Sequence, residues 1–251
     1  MIEFTTVAII FCTFLMAGTV KGVIGLGLPT VSLAILAVTF DLTTAMALLI
    51  APSLVTNIWQ AAIGGHAKIL LKRLWPFLLF ATVTIWIGAL GLKRVDLALL
   101  SALLGLLLIA YALVGLTGFR ISIDRHRESW VAPIVGALNG ILTGLTGSFV
   151  VPGVMYLQAI GLPRDQLVQA MGMLFTVSTL ALGLALGGNG LLSWQLALTS
   201  LAALVPAIIG MMIGQRLRMI LSEQQFRRVF FVALLALGIY IVVQSGALAT
   251  G

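Results

Sequence analysis

The sequence predicts an all-α polytopic membrane protein built from two homologous halves, each opening with a segment broken by glycine and proline. Three observations carry this. Of 251 residues, 61% are hydrophobic and only 8% are charged, whereas a soluble domain carries charge on about a quarter of its positions. Apolar runs of about 20 residues, enough to cross a hydrocarbon layer as a helix, recur from end to end. Two runs are longer than the rest and are interrupted at corresponding places. The longest polar gap, 119–130, has no room for a folded domain, so 1–251 reads as one membrane domain.

In chain order the apolar regions are 4–38, 42–63, 74–92, 97–118, 131–159, 166–188, 193–215 and 226–246. The first is too long for one upright helix and short for two, and Gly22, Gly25, Gly27 and Pro29 break it. The opening Met-Ile-Glu-Phe-Thr-Thr lacks the basic flank of a signal peptide, so this region is expected to be retained. The next three regions read as ordinary spans. Region 131–159 is broken by Gly140, Gly144, Gly147, Pro152 and Gly153, and three ordinary spans follow it. Trp59, Trp75, Trp86, Trp130 and Trp194 lie mostly near span ends, as interfacial anchors do.

The interruptions correspond. Lys21-Gly22-Val23-Ile24-Gly25-Leu26-Gly27-Leu28-Pro29 stands near the start of one half, and Asn139 to Gly147 with Pro152 stands at the same place in the other. Gly64-Gly65 matches Gly187-Gly188, Gly88 and Gly91 pair with Gly210 and Gly214, and Thr56 matches Thr179. A weak period of about 125 residues marks an internal duplication, with repeat one at 1–118, repeat two at 131–251 and a linker at 119–130.

The net charge of +7 is spread over short loops rather than gathered on a face. It therefore reads as cytoplasmic anchoring, not as a nucleic-acid footprint. Eight plain spans would leave the basic residues nearly balanced across the membrane. If the halves are inverted repeats, the loops at 64–73, 119–130 and 215–228 share the cytoplasmic side and hold ten of the fourteen basic residues. Each broken region must then re-enter or cross twice. Eight plain spans in parallel repeats are the alternative.

Irregular backbone at membrane depth survives only inside protein or against a cavity. Helix ends meeting there offer N–H groups and a positive dipole end suited to an anion, although glycines also serve simple close packing. Lys21 is the one ionisable residue well inside an apolar region; it reads as facing a cavity or partner, or else as snorkelling to the interface. The seven acids, Glu3, Asp41, Asp96, Asp124, Glu128, Asp165 and Glu223, all fall in loops, at a terminus or at span edges. No mid-membrane carboxylate is left for a proton relay, and no acidic cluster for a metal. His66 and His126 are loop residues far apart in sequence, Cys12 reads as a small hydrophobe, and no Walker motif occurs. An enzyme is not expected, nor any cofactor.

The Lys21–Pro29 and Gly136–Pro152 segments, the Gly64-Gly65 and Gly187-Gly188 span ends and the two-half layout resemble the sulfite exporter TauE/SafE family of membrane permeases across nearly the whole chain. The first repeat departs from that pattern in its more compact cluster, Gly25-Leu26-Gly27-Leu28-Pro29. The resemblance implies a multi-pass transporter of the bacterial cytoplasmic (inner) membrane that moves small sulfur-containing anions such as sulfite or sulfoacetate, with export favoured. On that reading the substrate-binding residues are Lys21 and the backbone N–H groups around Gly25, Gly27, Gly144 and Gly147. Thr146 and Ser148 hydroxyls add donors, and Asn57 or Gln169 shapes selectivity. Gly22, Pro29, Gly140 and Pro152 are the structural breaks. Partners are the small anion and membrane lipid, with a homo-oligomer left open. A non-transporting scaffold or assembly factor, or a carrier for another small solute, is the competing reading.

Overall fold

The computed structural model describes residues 4–119, 122–220 and 222–250, which form helices and no strands. The first half comprises α1 (Phe4–Ile24), α2 (Leu28–Thr39), α3 (Leu42–Leu48), α4 (Ile50–Ala62), α5 (Ala67–Val83), α6 (Ile85–Gly91) and α7 (Leu97–Thr117). The second comprises α8 (Glu128–Thr146), α9 (Gly153–Ala159), α10 (Arg164–Gly188), α11 (Trp194–Ala202), α12 (Leu204–Leu217) and α13 (Glu223–Thr250). Among the described residues seven helical stretches are long and apolar enough to cross a membrane, α5–α6 and α11–α12 each counting once. The α3–α4 pair, bent by 45°, adds an eighth.

Each interrupted region resolves into a full-length helix followed by a short one. The 12 residues of α2 rise only about 18 Å at 1.5 Å per residue, too little to span; α9, with 7 residues, is shorter still. The first break is made by Gly25 and Gly27 at φ +78° and +107°, left-handed conformations that a side chain resists. Pro29 then sits in the first turn of α2, where its missing N–H is no loss. Gly147, at φ +73°, ends α8, and Pro152 caps α9 after a cis bond from Val151.

Several expected boundaries move. Gly22 lies inside α1, and Gly140 and Gly144 inside α8, so none of the three forms a break. The span expected from residue 74 begins at Ala67, and that expected from 131 begins at Glu128. In both, charged first-turn residues conceal the helix start from a hydropathy reading.

The halves interlock reciprocally. The first helix of each packs against the third span of the other, α1 on α12 and α8 on α5 and α6. The second spans, α4 and α10, pack on each other, as do α7 and α13. Lipid supplies no hydrophobic drive for such contacts, so they depend on close van der Waals approach between small residues. A Cβ on Gly22 would lie 2.3 Å from the Met211 carbonyl oxygen, and one on Gly144 would lie 2.2 Å from that of Ile85.

Hydrogen bonds tie the helix ends together on one side of the molecule. Arg73 of α5 donates through Nε and Nη2 to the Glu128 carboxylate of α8 at 2.9 and 2.5 Å, and through Nη2 to the Ile160 carbonyl at 3.0 Å. The Ile123 amide donates to the Ala159 carbonyl, and the His66 amide to Gln169 Oε1. On the opposite side, residues 37–42, 96–101 and 241–245 contribute to the wall of a cavity of about 460 Å³. There Asp41 caps α3, accepting from the Thr43 and Thr44 hydroxyls and the Thr44 amide.

Candidate functional site

The last turn of α1 carries Lys21 into the protein, where it is buried. Its ammonium donates to Thr56 Oγ1 at 3.2 Å and to Asn57 Oδ1, both on α4. Both partners are neutral oxygens; the Arg73–Glu128 pair is the salt bridge found among the described residues. Burying an ammonium costs several kcal/mol when no countercharge accompanies it. The three-residue break after α1 allows this placement, because the chain turns away at Gly25 and leaves the Lys21 end of the helix against α4.

Lysine only donates hydrogen bonds, so its ammonium fixes the Asn57 amide with oxygen toward Lys21. Asn57 Nδ2 is thereby turned away, is fully buried and has no partner. Thr56 is held from the other side, its hydroxyl donating to the Pro52 carbonyl at 2.7 Å while it accepts from Lys21. The arrangement therefore holds a cation and, behind it, an unused N–H pair.

A cavity of about 270 Å³ reaches the Lys21–Thr56 side of this group, with Asn57 buried behind it, and is lined among others by Lys21, Gly25, Thr56, Trp59, Gln215 and Arg218. Lys21 and Thr56 are buried at its floor, while Trp59, Gln215 and Arg218 are exposed at its mouth. Its charged side chains are both basic, so the field inside favours anions. The larger cavity at the other end carries Asp41 and Asp96 instead.

The structure brings Lys21, Asn57 and Gly25 together and disperses the remaining expected binding residues. The Gly25 amide closes α1 by donating to the Lys21 carbonyl at 2.8 Å, and the Gly147 amide closes α8 by donating to the Thr143 carbonyl at 2.7 Å. Neither N–H is free for a ligand. Gly27 lies against Val20 and Phe230, Gly147 against Met46 and Leu33, and Gly144 within α8 against α6. The two breaks thus have different neighbours and do not form one amide-lined site.

Thr146 donates its hydroxyl to the Leu142 carbonyl and accepts from the Ser148 amide. Ser148 Oγ is buried without a partner, but among α8-end residues away from Lys21. Gln169 is fully engaged: its Nε2 donates to the Ala61 carbonyl at 2.8 Å and its Oε1 accepts from the His66 amide at 3.0 Å. It braces the end of α4. Asn139, at the place matching Lys21, accepts from the Gly153 amide at 2.8 Å and so ties α8 to α9 across the second break.

Of the cavity residues absent from the sequence-based site, Thr56, Trp59, Gln60 and Ile63 lie on or just after α4 and Val168 on α10, while Met211, Gln215 and Arg218 come from α12 or its end. A signal for the α12 residues existed in the matching spacing of Gly18 and Gly22 with Gly210 and Gly214, small residues four apart that let two helices meet. A search of curated proteins and one of solved structures returned no match. The family model for sulfite exporter TauE/SafE matches residues 10–241. That covers both halves, both breaks and the Lys21 cavity, and the chain belongs to the sulfite exporter TauE/SafE family.

Proposed function

We propose that the chain is an exporter of a small sulfur-containing oxyanion or sulfonate, which docks from the cytoplasm onto Lys21 and Asn57. One observation carries this: a buried ammonium held only by neutral oxygens at the floor of a basic cavity. An incoming anion supplies the missing countercharge and accepts from Lys21 Nζ and the idle Asn57 Nδ2. Charge-assisted hydrogen bonds of this kind are about twice as strong as neutral ones. Membership of the family implies transport of an anion across a membrane; the specific substrate and direction are our reading.

Inverted halves fit the reciprocal packing, since a two-fold exchange maps α1 on α12 to α8 on α6 and leaves α4 against α10. With repeat one at 1–118 and repeat two at 131–251, the end holding the Arg73–Glu128 pair is cytoplasmic. Lys68, Lys72, Arg125, Arg127, Arg164 and Arg218 lie toward it, as the positive-inside rule asks of bacterial inner-membrane proteins. Asp41 and Asp96 then face outward and disfavour re-entry of an anion. A cytoplasm-negative potential favours expulsion of one negative charge by about 2.3 kcal/mol per 100 mV, so no proton relay is needed.

The test is sulfite and sulfoacetate flux through purified protein in vesicles under an imposed potential. Flux no faster than in protein-free vesicles for every anion tried overturns the proposal. Cysteine labelling at Gly188 and Ser222, in a background lacking Cys12, tests the topology separately. Both sites reacting from one face contradicts the placement of the 188–194 and 215–228 loops on opposite sides of the membrane.

A further inference from the structure

The crossing of α4 and α10 holds a second group of idle donors, deeper than Lys21. Ser53 Oγ and Thr179 Oγ1 are fully buried and have no hydrogen-bond partner. Ser148 Oγ and Ser178 Oγ are in the same state, in contrast to ten other hydroxyls of the molecule. Thr19, Ser32, Thr39, Thr56, Thr82, Thr84, Thr117, Thr146, Thr176 and Thr199 all donate to the carbonyl four residues back. That back-bond is the ordinary way to satisfy a hydroxyl in an apolar helix. Ser53 and Thr179 make none, and an unsatisfied buried hydroxyl is destabilising.

Their position follows from the helix register. Ile50 lies against Gly183, and Gln60 lies against Gly172 and bonds the Val168 carbonyl at 2.8 Å. The helices therefore run antiparallel, with residues 53–57 opposite 176–179 and Ser53 across from Thr179. Ser53 and Asn57 are four apart and share one face of α4. Matching Gly64-Gly65 with Gly187-Gly188 makes Thr56 the equivalent of Thr179, and that correspondence centres near residues 54–55 and 177–178. The register of the crossing has the same centre. A two-fold axis relating the halves would thus pass beside the hydroxyl pair, within about half a helical turn of it, near the level equally distant from both faces.

We propose that Ser53 and Thr179, with Asn57 shared between the two, form a second, uncharged oxyanion station on the transport path beyond Lys21. The inference rests on the permease reading above. Asn57 Nδ2 points away from Lys21 and is the hand-over donor: an anion held by Lys21 and Asn57 passes to Asn57, Ser53 and Thr179 as the cavity closes behind it. The station is neutral by design of its residue types, so the anion is held by several hydrogen bonds and is still released outward. A second cation there would trap it.

The experiment compares wild type with Ser53→Ala, Thr179→Val and the double variant, using sulfite as the probe. Three quantities are read: the melting temperature without ligand, the sulfite Kd, and sulfite flux in vesicles. The expected result is an unchanged or raised melting temperature, a Kd within about threefold of wild type, and flux reduced about tenfold or more, the effect of losing hydrogen bonds to a charged group. A lowered melting temperature in every variant makes the hydroxyls structural and overturns the station, as does unchanged flux in the double variant. Wild type that neither binds nor moves sulfite or sulfoacetate fails at the permease reading itself, and the station falls with it. Lys21→Gln separates the stations, because it loses the Kd that Ser53→Ala keeps.

Discussion

Replacing Lys21 by Gln removes the buried charge while keeping a side chain that still donates toward Asn57 Oδ1 and Thr56. Two opposite effects follow. The anion loses its one formal countercharge at the cavity floor, and a hydrogen bond to a charged group contributes about 1.5–3 kcal/mol. At about 1.4 kcal/mol per decade, Kd for sulfite weakens about 10- to 150-fold. The ligand-free protein, by contrast, is relieved of a buried ammonium with only neutral partners, whose burial costs several kcal/mol. Its melting temperature rises by roughly 2–4 °C for each kcal/mol regained. Lys21→Arg keeps the charge but brings a planar, bulkier head beside Gly22, where α1 and α12 already touch, so it rescues affinity only in part. The assay is isothermal titration with sulfite alongside thermal unfolding with and without ligand. Lys21→Gln with wild-type Kd, or with a lowered melting temperature and intact binding, refutes the reasoning: the lysine would then be a structural donor.

Four further expectations follow from the same geometry. Arg218→Gln at the cavity mouth slows anion capture, raising KM about two- to fivefold in low salt, and the difference shrinks toward zero near 1 M salt because the group is exposed. Gly22→Ala and Gly144→Ala drive a Cβ into backbone of the partner helix and each destabilise by about 1–3 kcal/mol, whereas Gly187→Ala meets nothing within 4 Å and gains about 0.5–1 kcal/mol, all measured by unfolding in detergent. Gln169→Leu breaks two hydrogen bonds to the α4 end and lowers the melting temperature, yet leaves the sulfite Kd unchanged. Partial burial alone would raise the Asp41 carboxyl, but hydrogen bonds from Thr43 and Thr44 outweigh it and hold the group below its ordinary value. Its contribution to stability is therefore full above the ordinary value near 3.9 and is lost as pH falls through the lower folded value, a loss absent in Asp41→Asn.

Much of the architecture was legible because the bilayer imposes a length and a polarity. The all-helical membrane class, the apolar spans and the two break positions, at Gly25–Gly27 and after Gly147, followed from apolar run length and glycine clustering. The starts of α5 and α8 were hidden, since Lys68, Lys72 and Glu128 sit within helical turns that hydropathy reads as loop. The site was legible only in part. Lys21 stood out as a charge in an apolar run, and Asn57 as an amide one helix away. Gly144 and Gln169 were read as functional, and Gly140 as a break, where they pack or brace, because sequence gives a residue's type and depth but not which helix it meets. Reading amides at a break as free donors failed for a similar reason: helix ends close their own carbonyls, and Gly25 and Gly147 spend their N–H groups doing so.

The most direct test of the account is to locate the anion. Selenite has the shape and charge of sulfite and scatters anomalously, so a structure of the protein soaked in it fixes the selenium position. The expected result is one anomalous peak at the floor of the Lys21 cavity, its oxygens within about 3.2 Å of Lys21 Nζ and Asn57 Nδ2, and absent in Lys21→Gln. A peak confined to the Asp41–Asp96 end, or an empty Lys21 cavity in protein that transports the anion, would contradict it.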